Sequence, residues 1–464
     1  MNKNTFSALL SLSVALVIMF ITMSCLNIQN KSTDSDKNKK NLKKTAQFAN
    51  VSDTGSTQSD ILADNATASS QNSDLSSKTS SPDGNQAGNF KIEFGFNIGF
   101  LMDYQNNNQI FSKPLQQIKK DGITDLRIYE PFTTNIVKHP GTATNLLDNL
   151  TKSGFNVLLT FSNYPTIPSI QYKKDAADVK DLDTKEDFTN RYPPVNLNAY
   201  DSYLSDFLNS LKQKNDLQNM SFEIGNEPDS KKFFWGQSQD FVDIAKSTYS
   251  VLQNYGRPVY CCGFTSEFAN NAKTNPDLTK LISSNFMDKV NLSFHFYQNK
   301  KFDINSLRLP HLNNSIITEF NFYAYQKESS TTRIAFSNSP AFGSLLIQTL
   351  IFAYKNDIKK IYFFKLVDLP SKEGTLGFFD QNGSPKPPYT YLVKIYDVIK
   401  DGYTIKENSQ EVRLIGAQKT ILYSKVDNNA GPTNVQHNNG RNGLKKMNNN
   451  NGNFQAGTWS IVNN

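Results

Sequence analysis

Two short stretches place a carboxylate where a buried strand should end. SFEIGNEPDS, residues 221–230, runs from an apolar segment into Asn226, Glu227 and Pro228, and SIITEFNF, residues 315–322, carries Glu319 near the end of a second apolar segment. Taken singly, either could be turn chemistry, since Asn and Pro both favour loops. Two that meet can do more. Carboxyl groups about 5 to 5.5 Å apart suit double displacement at a sugar anomeric carbon: one attacks, and the other protonates the leaving oxygen and then activates water, with retention of configuration. The two roles need different environments. Burial and nearby negative charge raise a proton donor, whereas cations and hydrogen bonds keep a nucleophile ionised. Arg127 in TDLRIYE is the candidate cation, and Tyr297 in SFHFYQ is a candidate donor to Glu319. His295, two residues before Tyr297, shares its strand face.

Whether these groups meet depends on the elements that carry them. Between residues 92 and 368 short apolar runs alternate with helix-length amphipathic segments. The strand candidates are 92–99, 124–130, 156–163, 220–227, 258–264, 290–297, 315–322 and 360–368. Amphipathic segments such as YDSYLSDFLNSLKQK and QDFVDIAKSTYSVLQNYG separate them, several closed by Gly or Asn as helix C-termini prefer. Eight strand–helix units in a row predict an α/β fold, a (β/α)8 TIM barrel, in which functional groups sit at the C-terminal ends of the strands. Glu227 then ends the fourth strand and Glu319 the seventh, on opposite sides of one mouth. Glu223, deeper in the fourth strand with the same facing, is expected to be a supporting carboxylate, and Glu130 to serve the surface or a subsite. Of the aromatic residues near the mouth, Tyr164, Phe233, Phe234, Trp235, Tyr323 and Tyr325, Trp235 is expected to be the sugar-stacking platform. The long connection from Tyr164 to about Pro194 is expected to form a lid or cleft wall.

With GNEP on the fourth strand and TEF on the seventh, together with HFY and the strand-two Arg, the chain resembles the clan of retaining (β/α)8 glycoside hydrolases. Within that clan it is most similar to family 39-like enzymes. The likeness covers about 90–403 and includes FFKLVDLPSKEGTLGFFDQNGSPKPPYTYL, similar to the clan's strand eight, the Gly-rich turn after it and the start of the last helix. The resemblance implies that Glu227 is the general acid/base and Glu319 the nucleophile, that Asn226 bonds the sugar 2-hydroxyl, that Arg127 and Tyr297 orient Glu319, and that His295 lines the pocket. Many clan members carry a Trp on strand eight as the floor of the sugar site. Phe364 stands there in this chain, which keeps an aromatic face without the indole N–H. A carbohydrate substrate, no cofactor, no metal and no nucleic-acid partner are expected, with the enzyme acting as a monomer. Transglycosylation, or a catalytically silent carbohydrate-binding surface protein, are the competing readings.

The flanks have another character. Residues 1–25 read as a signal peptide of the lipoprotein type, with an apolar run from Ala8 to Met23 followed by Ser24 and Cys25, the lipidation candidate. An uncleaved membrane anchor and a simple cleaved signal are the other readings of the run, and each predicts an extracytoplasmic location at the cell surface or outer envelope, with membrane association through the lipid or anchor, or secretion. Residues 26–89, rich in Ser, Asn, Asp, Lys and Thr, are expected to be a disordered linker. The cluster Lys37–Lys44 in it supplies part of the formal +7 charge. From 404 to 464 a small β appendage and a low-complexity, Asn-rich tail are expected. Besides Cys25 the chain has only Cys261 and Cys262, neighbours whose side chains should point to opposite faces of a strand and not pair.

Overall fold

The computed structural model describes residues 90–464 except 130–139, 163, 165–190, 216, 299–303, 308, 323–340, 370–375 and 425–457. Cys25, the linker, Glu130, Tyr323, Tyr325 and most of the connection after Tyr164 lie outside the described residues, so those expectations have no structural counterpart here. Among the described residues no helix is long and apolar enough to cross a membrane.

Eight parallel strands close into a barrel in sequence order. They are β1 Glu93–Phe100, β2 Asp125–Tyr129, β3 Asn156–Phe161, β4 Met220–Ile224, β5 Val259–Phe264, β6 Asn291–Gln298, β7 Ile316–Phe322 and β8 Lys360–Phe363. The (β/α)8 expectation holds. The strands read as near-continuous apolar runs because both of their faces are covered, and β2 is buried along its whole length. Around them lie α1 Leu101–Asn106, α2 Asn108–Lys120, α3 Pro140–Lys152, α4 Leu197–Lys214, α5 Ser238–Leu252, α6 Ser266–Asn270, α7 Pro276–Ile282, α8 Ala341–Asn356 and α9 Pro387–Ile399. The helix starts follow capping chemistry: Asn196 accepts from the Ala199 N–H, Thr265 from Phe268, and Asn275 from Leu278 with Pro276 in the first turn. On α4 the residues turned inward are Tyr200, Leu204, Phe207, Leu208 and Leu211, the stripe that a 3.6-residue repeat produces.

The barrel interior has two layers. An apolar cluster of Leu158, Ile316 and Tyr362, with Tyr260 against it, fills the lower part. Above it sit polar side chains from almost every strand. A bulge decides which way the most important of them points. Phe294 pairs with Ile317 but His295 pairs with Glu319, so β7 holds one extra residue, Thr318, against β6. Ile316 and Glu319 therefore both face inward although strict alternation would put them on opposite sides.

Cys261 and Cys262 correct the sequence-based expectation. They are joined to each other in a disulfide, across a cis peptide bond with Cα atoms 3.0 Å apart. Strand alternation separates neighbouring side chains only when the peptide between them is trans and extended, and here it is not.

After the barrel, β9 Thr404–Glu407, β10 Glu411–Ile415 and β11 Lys419–Ser424 form an antiparallel meander that packs on α9. A fourth strand, β12 Thr458–Asn463, pairs with β11, with Trp459 opposite Tyr423 and its ring edge-on to Tyr391 of α9. These four strands lie within 404–464, where a small β appendage was expected, and residues 425–457 between β11 and β12 are outside the described residues.

Candidate active site

Arg127 is the hub of the site. It projects from β2 into the upper barrel with no exposed surface, and each of its three nitrogens has a partner. Nε donates to Glu223 Oε2 at 2.7 Å, Nη1 to Glu319 Oε1 at 2.7 Å and Asn97 Oδ1 at 3.0 Å, and Nη2 to Asn226 Oδ1 at 2.8 Å. A guanidinium is a rigid planar fork, so four contacts from β1, β4, β7 and the turn after β4 fix its position and theirs together. Burial alone would lower the basicity of Arg127, but Glu223 and Glu319 raise it, and it stays charged.

Glu319 receives a second donor. The Tyr297 hydroxyl donates to Oε2 at 2.5 Å, so both carboxylate oxygens are held. Two strong donors, one of them cationic, orient the carboxylate at the barrel mouth.

Glu227 lies three residues beyond β4, in a turn, with φ of 49° in the left-handed region. A non-glycine residue adopts that conformation only where its surroundings over-determine it. Two contacts do so: its N–H donates to the Gly263 carbonyl at 2.9 Å, and its carbonyl accepts from the Ser230 N–H at 2.9 Å. Its side chain is 16% exposed. Burial pushes the Glu227 carboxyl up to about 7, with Lys232 and Arg127 pulling partly back. Asp229, two residues on, is raised to about 6 by burial against hydrogen bonds from Thr265. It clamps the turn to the start of α6 through the Thr265 N–H at 3.1 Å and the Thr265 hydroxyl.

His295 joins the two carboxylates. Its Nδ1 is 2.9 Å from Glu227 Oε1 and 3.5 Å from Glu319 Oε2. The ring is fully buried, which holds the imidazole below its usual range although Glu319 pulls the other way, so it is neutral at neutral pH. Gly263 makes room for this arrangement. A Cβ there would stand 3.2 Å from His295 Nε2 and 3.3 Å from Glu223 Oε1, and φ of 61° disfavours any other residue.

The sequence-predicted residues thus fall into two groups. Arg127, Asn226, Glu227, His295, Tyr297 and Glu319 converge at the mouth. Phe364 joins them at its edge, packed with Tyr129 and Leu376, and its ring is 6.1 Å from that of Tyr297 and perpendicular to it. Trp235 does not join them as expected. It is only 4% exposed, edge-on to Tyr192 at 4.9 Å and beneath the Arg191 guanidinium at 5.9 Å, with its N–H donating backbone to backbone to Arg191. A ring covered this way offers no free face to a sugar, and its role is to pack the strand-four loop.

Sequence reasoning missed three polar contributors. Asn97 on β1 accepts from Arg127 and donates through Nδ2 to the Thr318 carbonyl at 2.8 Å, pinning the β7 bulge. Thr160 on β3 donates to Glu223 at 2.6 Å. Asn321 on β7 donates to the Phe364 and Leu376 carbonyls and so ties the strand-eight turn to the site. Each is a polar residue inside an apolar strand, and that interruption was the available signal.

Ligand atoms of Glu227, His295 and Glu319 lie within 4.8 Å of one another, close enough to surround a metal ion. Their donors argue otherwise. Both oxygens of Glu319 already accept from Arg127 and Tyr297, and a cation there would sit against a buried guanidinium.

No protein-family model and no curated protein sequence matches the chain. Solved structures do. A monomeric β-xylosidase from Caulobacter crescentus superposes with a TM-score of 0.51 at 12% identity, over 73% of this chain and 74% of that one. A glycoside hydrolase family 30 subfamily 8 xylanase from Clostridium acetobutylicum gives a TM-score of 0.47 at 13% identity, over 72% of this chain and 81% of that one. At such identity the likeness to the β-xylosidase is one of fold alone.

Proposed function

We propose that the chain is a retaining glycoside hydrolase that cleaves O-glycosidic bonds of a polysaccharide or oligosaccharide by double displacement. The observation that carries this reading is the meeting of Glu227 and Glu319 around one neutral imidazole, with their ligand atoms no more than 4.8 Å apart. So close an approach of one oxygen from each carboxyl supports the retaining reading, in which the two groups stand about 5 to 5.5 Å apart. The environments differ in the sense that the chemistry needs. Glu227, raised to about 7 by burial, holds a proton for the leaving oxygen, and Glu319, held by Arg127 and Tyr297, presents an anion to the anomeric carbon.

In the first step Glu319 forms a bond to the anomeric carbon as the glycosidic C–O bond breaks and Glu227 gives its proton to the departing oxygen. In the second, Glu227, now ionised, takes a proton from water, which attacks the same carbon and releases Glu319. Asn226, held by Arg127 Nη2, keeps its amide nitrogen for a sugar hydroxyl. The sequence motifs support placing the chain near the family 39-like enzymes. On the same reading the protein works outside the cytoplasm as a monomer, carried by its N-terminal apolar run and held by a lipid on Cys25. Incorporation of labelled palmitate that persists in Cys25→Ala would remove the anchor from the proposal.

The catalytic test uses purified full-length protein on 4-nitrophenyl glycosides and polysaccharides. Glu319→Gln should fall to background, and Glu227→Gln should lose about 100- to 10,000-fold on unactivated substrates, with azide restoring turnover of the aryl glycoside. Unchanged turnover in both variants would sink the assignment.

A further inference from the structure

Below the catalytic pair lies a third carboxylate that double displacement does not use. Glu223, fully buried on β4, accepts from Arg127 Nε at 2.7 Å and from the Thr160 hydroxyl at 2.6 Å, both on Oε2. Oε1 makes no hydrogen bond. Burial by itself would raise this carboxyl, yet it is lowered, because Arg127 and Thr160 outweigh burial. An anion is therefore kept in the barrel core, at a cost that a purely structural site could avoid with an apolar residue.

Its position explains why. The guanidinium is planar, so anchoring Nε decides where Nη1 and Nη2 point, and those two reach Glu319 and Asn226. Charge is shared as well as position. One buried cation faces two buried anions, Glu223 and Glu319, and the imidazole between the working carboxylates is neutral.

We propose that Glu223 is a positioning residue for the reaction: it anchors the Nε side of Arg127 so that the guanidinium meets Glu319 and Asn226 in register, and it takes up guanidinium charge that would otherwise act on Glu227 and Glu319. This rests on the reading of Glu227 and Glu319 as the working pair, and its first test needs no turnover. The groups facing Glu227 are Arg127 from β2, His295 from β6, Glu319 from β7, and Lys232 and Asp229 from its own loop. Of these, Arg127 is the one that bonds Glu223. Replacing Glu223 by Gln frees the cation to favour a second anion, so Glu227 should ionise at lower pH.

The experiment is a 13C NMR titration of the full chain labelled at glutamate Cδ, with the Glu227 signal assigned by its loss in Glu227→Gln. In Glu223→Gln the Glu227 midpoint should fall by about one pH unit. In Glu223→Asp, which keeps the anion but is one methylene short of Arg127, the midpoint should stay in place. On the fastest 4-nitrophenyl glycoside, Glu223→Asp should lower kcat about tenfold with KM held, the cost of a misplaced guanidinium. An unmoved midpoint in Glu223→Gln overturns the charge sharing, and wild-type kcat in Glu223→Asp overturns the positioning. Glu223→Asp decides the positioning alone if the Gln variant does not fold. Should the wild-type chain show no glycosidase turnover, the titration still decides whether Glu223 governs Glu227.

Discussion

The Tyr297 hydroxyl donates to Glu319 Oε2 at 2.5 Å, from β6 to the neighbouring β7, on the oxygen that Arg127 leaves open. The ring is held independently of that bond, half-buried against Phe364. Tyr297→Phe therefore removes a donor and little packing. A hydrogen bond to a charged group contributes about 1.5–3 kcal/mol, so kcat/KM should fall about 10- to 100-fold while thermal stability stays near wild type. Steady-state kinetics beside a thermal melt separate the outcomes: wild-type kcat/KM in Tyr297→Phe would mean that Arg127 alone orients Glu319.

The raised Glu227 carboxyl predicts two pH effects of opposite use. As general acid it must be protonated, so kcat/KM should fall as pH rises through about 7. For stability the sign is fixed by proton counting. Between its ordinary value of 4.5 and about 7 the folded chain keeps a proton that the unfolded chain has released, so folding becomes less favourable as pH rises through that window. Asp229, raised to about 6, adds in the same direction. Glu227→Gln escapes the loss and should gain about 2–3 kcal/mol over wild type between pH 4 and pH 8, measured by urea unfolding. A difference that stays constant across that range would contradict burial as the cause of the shift.

Much of this site was legible because it lies on regular elements. Eight apolar runs separated by helix-length segments announce eight strands, and carboxylates at the ends of two of them stand out against turn chemistry once the strands are counted. What escaped prediction depends on departures from regularity. The β7 bulge at Thr318 turns Glu319 inward, and nothing in SIITEFNF marks which residue is the extra one. Asn97 and Thr160 look like weak points in apolar strands until Arg127 and Glu223 are seen beside them. The pairing of Cys261 with Cys262 and the return of β12 to the C-terminal sheet both rest on contacts that a local periodicity does not encode.

Trp235 shows how sequence proximity to a catalytic residue misleads. Close to Glu227 in the chain, it looked like a sugar platform, but Tyr192 and Arg191 cover its ring. Packing of that kind predicts a stability effect in place of a binding one. Trp235→Ala should cost about 3–5 kcal/mol of folding stability through the cavity it leaves. Trp235→Phe, which keeps a ring against Tyr192 and beneath Arg191, should recover most of it. In both variants KM for oligosaccharides measured well below the melting temperature should remain near wild type, because no sugar contact is lost. A raised KM in Trp235→Ala with unchanged stability would return the ring to the substrate, since it would mean that the loop opens in solution and the indole face is free to stack.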